Sequence, residues 1–196
     1  KSINTKELLK TKDVKFEFDG KEYAFEVKYN QNAINFYNDY PLADIEVYFD
    51  ATITPQTKES LTDGLLPLIK ELPESEAVML LLRFVQTAFE YQTDQQQFGK
   101  EKFFFPDELF HYHYSDCEDR SVLFAYLAKE LLGLDVIGLN YPGHMATAVK
   151  FNEKVVGDYI NYKGQKYVVC DPTFVNAPIG QTMPQFADAN AIVVEL

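Results

Sequence analysis

The chain has 196 residues, 46% of them apolar and 15% aromatic, which is enough for one packed core and excludes a wholly disordered chain. Its 18 basic and 30 acidic side chains leave a net charge of −12, which repels a nucleic-acid backbone or an anionic membrane surface. The longest apolar run, Ala77 to Leu82, falls far short of the ~18–20 residues a membrane span needs, so no membrane insertion is expected. Two cysteines, Cys117 and Cys170, cannot form a disulfide framework, and at least one is free for another role. The chain opens on Lys1 rather than Met and is read as a mature form or an excised piece. Localisation stays open between cell envelope or secretion, the favoured side, and the cytoplasm.

The first third alternates with period two. Val14, Phe16 and Phe18 lead into Asp19-Gly20, and Tyr23, Phe25, Val27 and Tyr29 follow, which reads as a β-hairpin. Ile45, Val47 and Phe49 continue the alternation as a further strand-like piece. A helix is expected from near Pro55, with Gly64 and Pro67 weakening its middle. Val78, Leu81, Leu82, Val85 and Phe89 fall at helical spacing, so 74–91 is expected to be helical. The stretch 93–106 has no clear period and reads as a long connection. A second strong helix is expected over 117–132, closed by Gly133. Three strand-like pieces follow at 146–151, 155–162 and 165–170, with turns at Asn152-Glu153 and Lys163-Gly164. The expectation is an α+β fold: a helix packed on an antiparallel sheet in a core domain over 56–196, preceded by a β-rich segment over 1–55.

Cys117 is the first candidate for chemistry. Ser115 and Glu118 fit a capping box, which places the cysteine in the first turn of a helix. Unpaired backbone N–H groups and the helix dipole favour an anion there, and such a thiol can move from pKa ~8.5 into the ~3.5–7.5 range. Asp116, Glu118 and Asp119 push the other way, offset in part by Arg120. A nucleophile needs a base. His144, in Tyr141-Pro142-Gly143-His144-Met145, opens a strand from a turn, whereas His111 and His113 would have to fold back and read as structural or surface residues. Asp171, ending a strand before Pro172, could accept the imidazole N–H and fix its tautomer.

Asp116-Cys117-x-Asp119 at a helix start, Gly143-His144 opening a strand and Asp171-Pro172 ending a later one together resemble the transglutaminase-like superfamily. The resemblance spans roughly Val78 to Thr173 and implies a papain-like core with a Cys-His-Asp triad. It assigns Cys117 as nucleophile, His144 as general base and acid, and Asp171 as the group that orients the histidine. It implies acyl transfer from an amide through a thioester: peptidase, amidase or deamidase action with water as acceptor, or protein crosslinking with a lysine amine. The bacterial-type members lean towards hydrolysis. The expected partner is a peptide or protein amide, cell-wall peptide included. Related enzymes use Gln or Trp as an oxyanion donor beside the cysteine N–H. Trp is absent, and Tyr91 and Gln92, upstream at the end of the preceding helix, are the candidates for this donor.

Cys170, alternating with Asp171 on its strand, is expected to face packing instead. No cofactor is expected and no metal site: His111-x-His113-x3-Cys117 matches no common zinc spacing, and no calcium-loop spacing occurs. The rival reading is a non-catalytic peptide- or glycan-binding module on the same fold.

Overall fold

The computed structural model describes residues 8–196, which form a mixed α+β fold. The hairpin expected from the alternation is present as β1 (Leu9–Phe18) and β2 (Lys21–Asn30), paired antiparallel across Asp19-Gly20 with both turn residues at positive φ. The strand-like piece at Ile45, Val47 and Phe49 is a correction. The chain instead forms α1 (Gln31–Asn38) and then a short helix α2 (Ile45–Phe49). Ile45, Tyr48 and Phe49 are its buried residues, a three- and four-residue spacing that three alternating apolar letters concealed.

α3 (Pro55–Ile69) runs unbroken through Gly64 and Pro67. Its N-terminus is capped from a distance. The Asp107 carboxylate accepts the Thr54 N–H (3.1 Å), the Thr54 hydroxyl (2.5 Å) and the Thr57 hydroxyl (2.6 Å). α4 (Glu74–Thr87) follows and ends before position 91, giving way to the two-residue strand β3 (Glu90–Tyr91). The aperiodic stretch holds one turn of helix, α5 (Asp94–Gln97), and a 3-10 turn over Pro106–Phe110. β4 (Tyr114–Ser115) pairs in parallel with β3, immediately before α6 (Cys117–Leu132). Gly133 closes α6 in the left-handed conformation at φ 66, and the N–H groups of Gly133 and Leu134 take up Lys129 and Ala128 carbonyls.

The remaining strands are β5 (Asp135–Tyr141), β6 (His144–Lys150), β7 (Tyr159–Tyr162), β8 (Gln165–Cys170) and β9 (Ile192–Val194). They form one antiparallel sheet in the order β7-β8-β6-β5-β9. β5 and β9 were not expected. β5 is buried at Val136, Ile137, Leu139 and Tyr141, so the period-two signal is lost, and β9 is only three residues long.

The sheet buries both faces. Val136, Met145, Val149, Cys170 and Val194 join the main core with α4, α6 and the hairpin. Ile137, Leu139, Tyr141, Ala146, Ala148 and Val169 form a second cluster covered by Phe186, Ala189 and Ala191. Hairpin and helices share the main core: the fully buried Phe84 of α4 packs against Phe16 (5.3 Å), Phe25 (5.7 Å) and Phe89 (5.9 Å). Lys12 ties the hairpin to the segment before β4, donating to the carbonyls of Leu109 (3.1 Å) and Tyr112 (2.8 Å). Among the described residues no helix is long and apolar enough to cross a membrane.

Gly64 offers a test of how α3 seats on the hairpin. Replacing a mid-helix glycine by alanine ordinarily gains about 1 kcal/mol. Here the new Cβ would run into the Phe25 ring, and overpacking typically costs ~1–3 kcal/mol. Gly64→Ala is therefore expected to lower stability in urea denaturation, and a stabilised variant would contradict this packing.

Candidate functional site

The site grows from the junction of α6 with the sheet. The α6 cap is one residue later than the sequence suggested: Asp116 is the N-cap and pairs reciprocally with Asp119, in place of Ser115 with Glu118. Ser115 has another role, its hydroxyl accepting from Arg120 Nε (3.2 Å). Cys117 is the first helical residue and is buried. Its neighbour across the junction is Met145 of β6, whose N–H points at the sulfur and whose carbonyl accepts the Ser121 hydroxyl (3.2 Å). The start of β6 is thereby held against the first turns of α6.

His144 opens β6 directly before Met145, out of the Pro142-Gly143 turn in which Gly143 takes φ 74. His144 Nε2 lies 2.8 Å from Asp171 Oδ2, and both side chains are buried. The other Asp171 oxygen accepts the N–H groups of Thr173 (2.9 Å) and Phe174 (3.1 Å). A carboxylate so engaged is an acceptor, so Nε2 carries the imidazole proton and Nδ1 is the basic nitrogen. The ring plane is fixed by Phe186, stacked at 5.0 Å and nearly parallel, and Phe186 also stacks on Tyr141 (5.1 Å). Gln86 at the end of α4 supports the same corner, donating to the Asp171 carbonyl (2.9 Å) and the Ala177 carbonyl (3.2 Å).

The thiol's own hydrogen bond goes to Glu118 Oε2 (2.9 Å), and no hydrogen bond joins it to His144. Burial first, then Glu118 and Asp116, push the thiol pKa up, against the Met145 N–H. The depressed thiol pKa favoured by the helix-start position is thus overridden in this arrangement. Cys170 is a second free thiol, fully buried in the main core on the face opposite Val169, as strand alternation predicts.

Of the two oxyanion candidates, Tyr91 is the one whose phenol feels the charge of the thiol. Its ring lies under the Arg120 guanidinium (5.5 Å), and its phenol is pushed up to about 12 by burial and then by Cys117 and Asp116. It is therefore an O–H donor at neutral pH. Gln92 is fixed through its backbone, whose N–H donates to the Ser115 carbonyl (3.3 Å). His111 takes the Tyr29 hydroxyl as partner (3.3 Å) and His113 is an exposed partner of Glu90 (3.3 Å), so neither joins the site.

Asp116, next to Cys117 in the chain, belongs to a group that sequence spacing did not reveal. Single oxygens of Asp94, Asp116 and Asp119 come within 4.8 Å of one another, all buried. Asp119 accepts from the N–H groups of Phe104 (2.9 Å) and Asp116 (3.2 Å), and Asp94 accepts from Lys102 N–H (2.6 Å). Asp116 Oδ1 is buried without a partner. Burial leads the upward shift of Asp94 to about 6 and of Asp116 to about 8, with neighbouring carboxylates adding to it. Asp94 is 22 residues from Asp116 (116 − 94) and invisible as a partner in sequence, although Thr93-x-x-Gln96 is a capping-box signal for the helix that carries it. Phe186 and Gln86 carry no sequence signal that ties them to His144 or Asp171.

Comparison with protein-family profiles and with curated protein sequences finds no match to this chain.

The Asp116 carboxyl gives a pH prediction. A carboxyl raised from the unfolded ~3.9 to about 8 holds its proton in the folded state while the unfolded chain has lost it. Between those values folding binds protons, so this group's contribution to stability falls as pH rises, by on the order of 1 kcal/mol per pH unit at most. Asp116→Asn keeps a good N-cap and removes that titration. Urea denaturation from pH 5 to 8 should show a stability that declines less steeply in the variant; parallel profiles would contradict the assignment.

Proposed function

We propose that the chain is a cysteine-dependent acyl-transfer enzyme acting on amide bonds, with Cys117 as nucleophile, His144 as general base and acid, and Asp171 as the residue that positions His144. The single observation that carries this reading is the buried 2.8 Å contact between His144 Nε2 and Asp171, on a strand whose next residue aims its N–H at the Cys117 sulfur. Histidine oriented by carboxylate, next to a thiol at a helix start, is the arrangement that thiol acyl transfer requires. The transglutaminase-like resemblance of the motifs supports the same assignment.

In the proposed reaction the thiol proton passes from Sγ to the basic nitrogen of His144, and the thiolate adds to an amide carbonyl. The Cys117 N–H and the Tyr91 hydroxyl are the candidate donors to the developing oxyanion in this reading. Collapse of the tetrahedral intermediate breaks the C–N bond as His144 returns its proton to the departing nitrogen, leaving a thioester on Cys117. His144 then removes a proton from the acceptor that releases the acyl group. Water as acceptor gives hydrolysis, the outcome favoured here, and an amine gives crosslinking.

One observation favours the rival reading, a binding module. The thiol donates to Glu118 and not to the imidazole, as a permanently unreactive cysteine would. Iodoacetamide separates the two. In the enzyme reading Cys117 alkylates at pH 7 and His144→Ala slows this at least tenfold, as followed by mass spectrometry of the Cys117 peptide. Alkylation at equal rates in both proteins, or none in either, would overturn the enzyme reading.

A further inference from the structure

The surroundings of the thiol point to the charge of what reaches it. The segment between α5 and the 3-10 turn runs along the first turn of α6, because Lys102 N–H donates to Asp94 (2.6 Å) and Phe104 N–H to Asp119 (2.9 Å). Glu101, exposed, precedes these contacts, and Glu118, half-buried, holds the thiol proton from the facing turn. The two are close enough that Glu118, after burial, helps raise the Glu101 pKa. Neither Glu101 nor Glu118 forms an ion pair with a lysine or arginine among the described residues. Two of the nearby cations are otherwise engaged. Lys102 is held by Glu108 at 2.6 Å, and Arg120 is buried, donating to the Gln86 and Phe89 carbonyls and to the Ser115 hydroxyl.

A second, independent feature adjoins this acidic edge. Glu101 lines a cavity of about 360 Å³ whose walls include the rings of Tyr37, Tyr40, Tyr48, Phe103 and Phe105. The rings brace one another: Tyr37 stacks on Phe105 at 4.4 Å, and Tyr48 packs on Phe105 at 4.7 Å and Phe103 at 5.5 Å. A preformed aromatic cavity of this size suits one apolar group, and an unpaired carboxylate at its edge suits a cation attached to that group. Lys100, also in the lining, is the one cation there that no carboxylate holds among the described residues.

We infer that the substrate of Cys117 carries a positively charged group held between Glu101 and Glu118, with an attached apolar group seated in the aromatic cavity. The inference rests on the reading of Cys117 as a reactive thiol, and it adds a consequence. A cation that engages Glu118 withdraws the acceptor that holds the thiol proton, so the thiol is free to pass that proton to His144. Substrate binding itself then turns the thiol from its resting partner to its base.

Methanethiosulfonate reagents of different charge test this without knowledge of the substrate. Each forms a mixed disulfide at Sγ, methanesulfinate leaves, and the thiol proton goes to solvent. Reaction at Cys117 is followed by mass spectrometry with the aminoethyl (cationic), sulfonatoethyl (anionic) and methyl (neutral) reagents. The cationic-to-anionic rate ratio, normalised to that of N-acetylcysteine amide, should exceed tenfold. It should drop several-fold in both Glu101→Gln and Glu118→Gln, and fall in high salt. Using a ratio removes any general change in thiol reactivity that Glu118→Gln brings. A normalised ratio near one, or one unchanged in both variants, overturns the inference. Phenethylamine should protect Cys117 from the methyl reagent better than ethylamine does; equal protection overturns the role of the cavity. If the charge preference is present but the methyl reagent ignores His144→Ala, the acyl-transfer reading fails while the cationic edge stands. If the methyl reagent depends on His144 and no charge preference appears, the inference alone fails.

Discussion

The structure hinges on one buried cation. Arg120 is 1% exposed, and its guanidinium donates to the Gln86 carbonyl (3.3 Å), the Phe89 carbonyl (2.8 Å) and the Ser115 hydroxyl (3.2 Å). Two of these partners lie at the C-terminal end of α4, where backbone carbonyls otherwise lack intrahelical donors and the dipole favours positive charge. The third lies on β4, just before α6. One side chain thus fixes the end of α4, the start of α6 and, through its face, the Tyr91 ring. A buried charge stripped of its partners is strongly destabilising, which makes this junction intolerant of rearrangement.

That placement explains why acidic side chains crowd the thiol. Asp119 bonds to two backbone N–H groups, Asp116 caps the helix, and both lie near the buried Arg120 guanidinium. Asp94 adds a third carboxyl, and burial together with the neighbouring carboxylates raises the pKa of Asp94 and of Asp116. Cys117 sits at the edge of this arrangement with Glu118 on one side and the start of β6 on the other. The helix dipole alone would favour a thiolate, but burial and the adjacent carboxylates outweigh it at rest. Reactivity in the proposed mechanism therefore depends on transfer of the thiol proton from the Glu118 side to the His144 side. Asp171 and Phe186 fix the orientation of the His144 ring.

Much of the framework was legible in the letters. The hairpin followed from alternation around Asp19-Gly20, α6 from its closing Gly133, and β8 from Gln165 to Cys170. The failures share a physical cause. β5 is buried on both faces and so loses its alternation, and α2 is too short for its helical period to show. Pro67 and Gly64 did not interrupt α3, because its Leu61, Leu65 and Ile69 face the core and packing overrides local propensity. In the site, Cys117, His144 and Asp171 could be proposed because each stood in a recognisable local setting: a helix start, a strand opening, a strand end. Asp94, Gln86 and Phe186 act only through long-range contacts, and no spacing rule connects them to those positions.

The central claim is that Glu118 and His144 compete for the proton of one thiol. A double-mutant cycle on the alkylation of Cys117 by iodoacetamide at pH 7 measures this directly, using the wild type, Glu118→Gln, His144→Ala and the double variant. If the two residues contend for the same proton, Glu118→Gln accelerates alkylation several-fold more when His144 is present than when it is absent. The same acceleration in both backgrounds would mean that the thiol never exchanges its proton with His144, and would contradict the account.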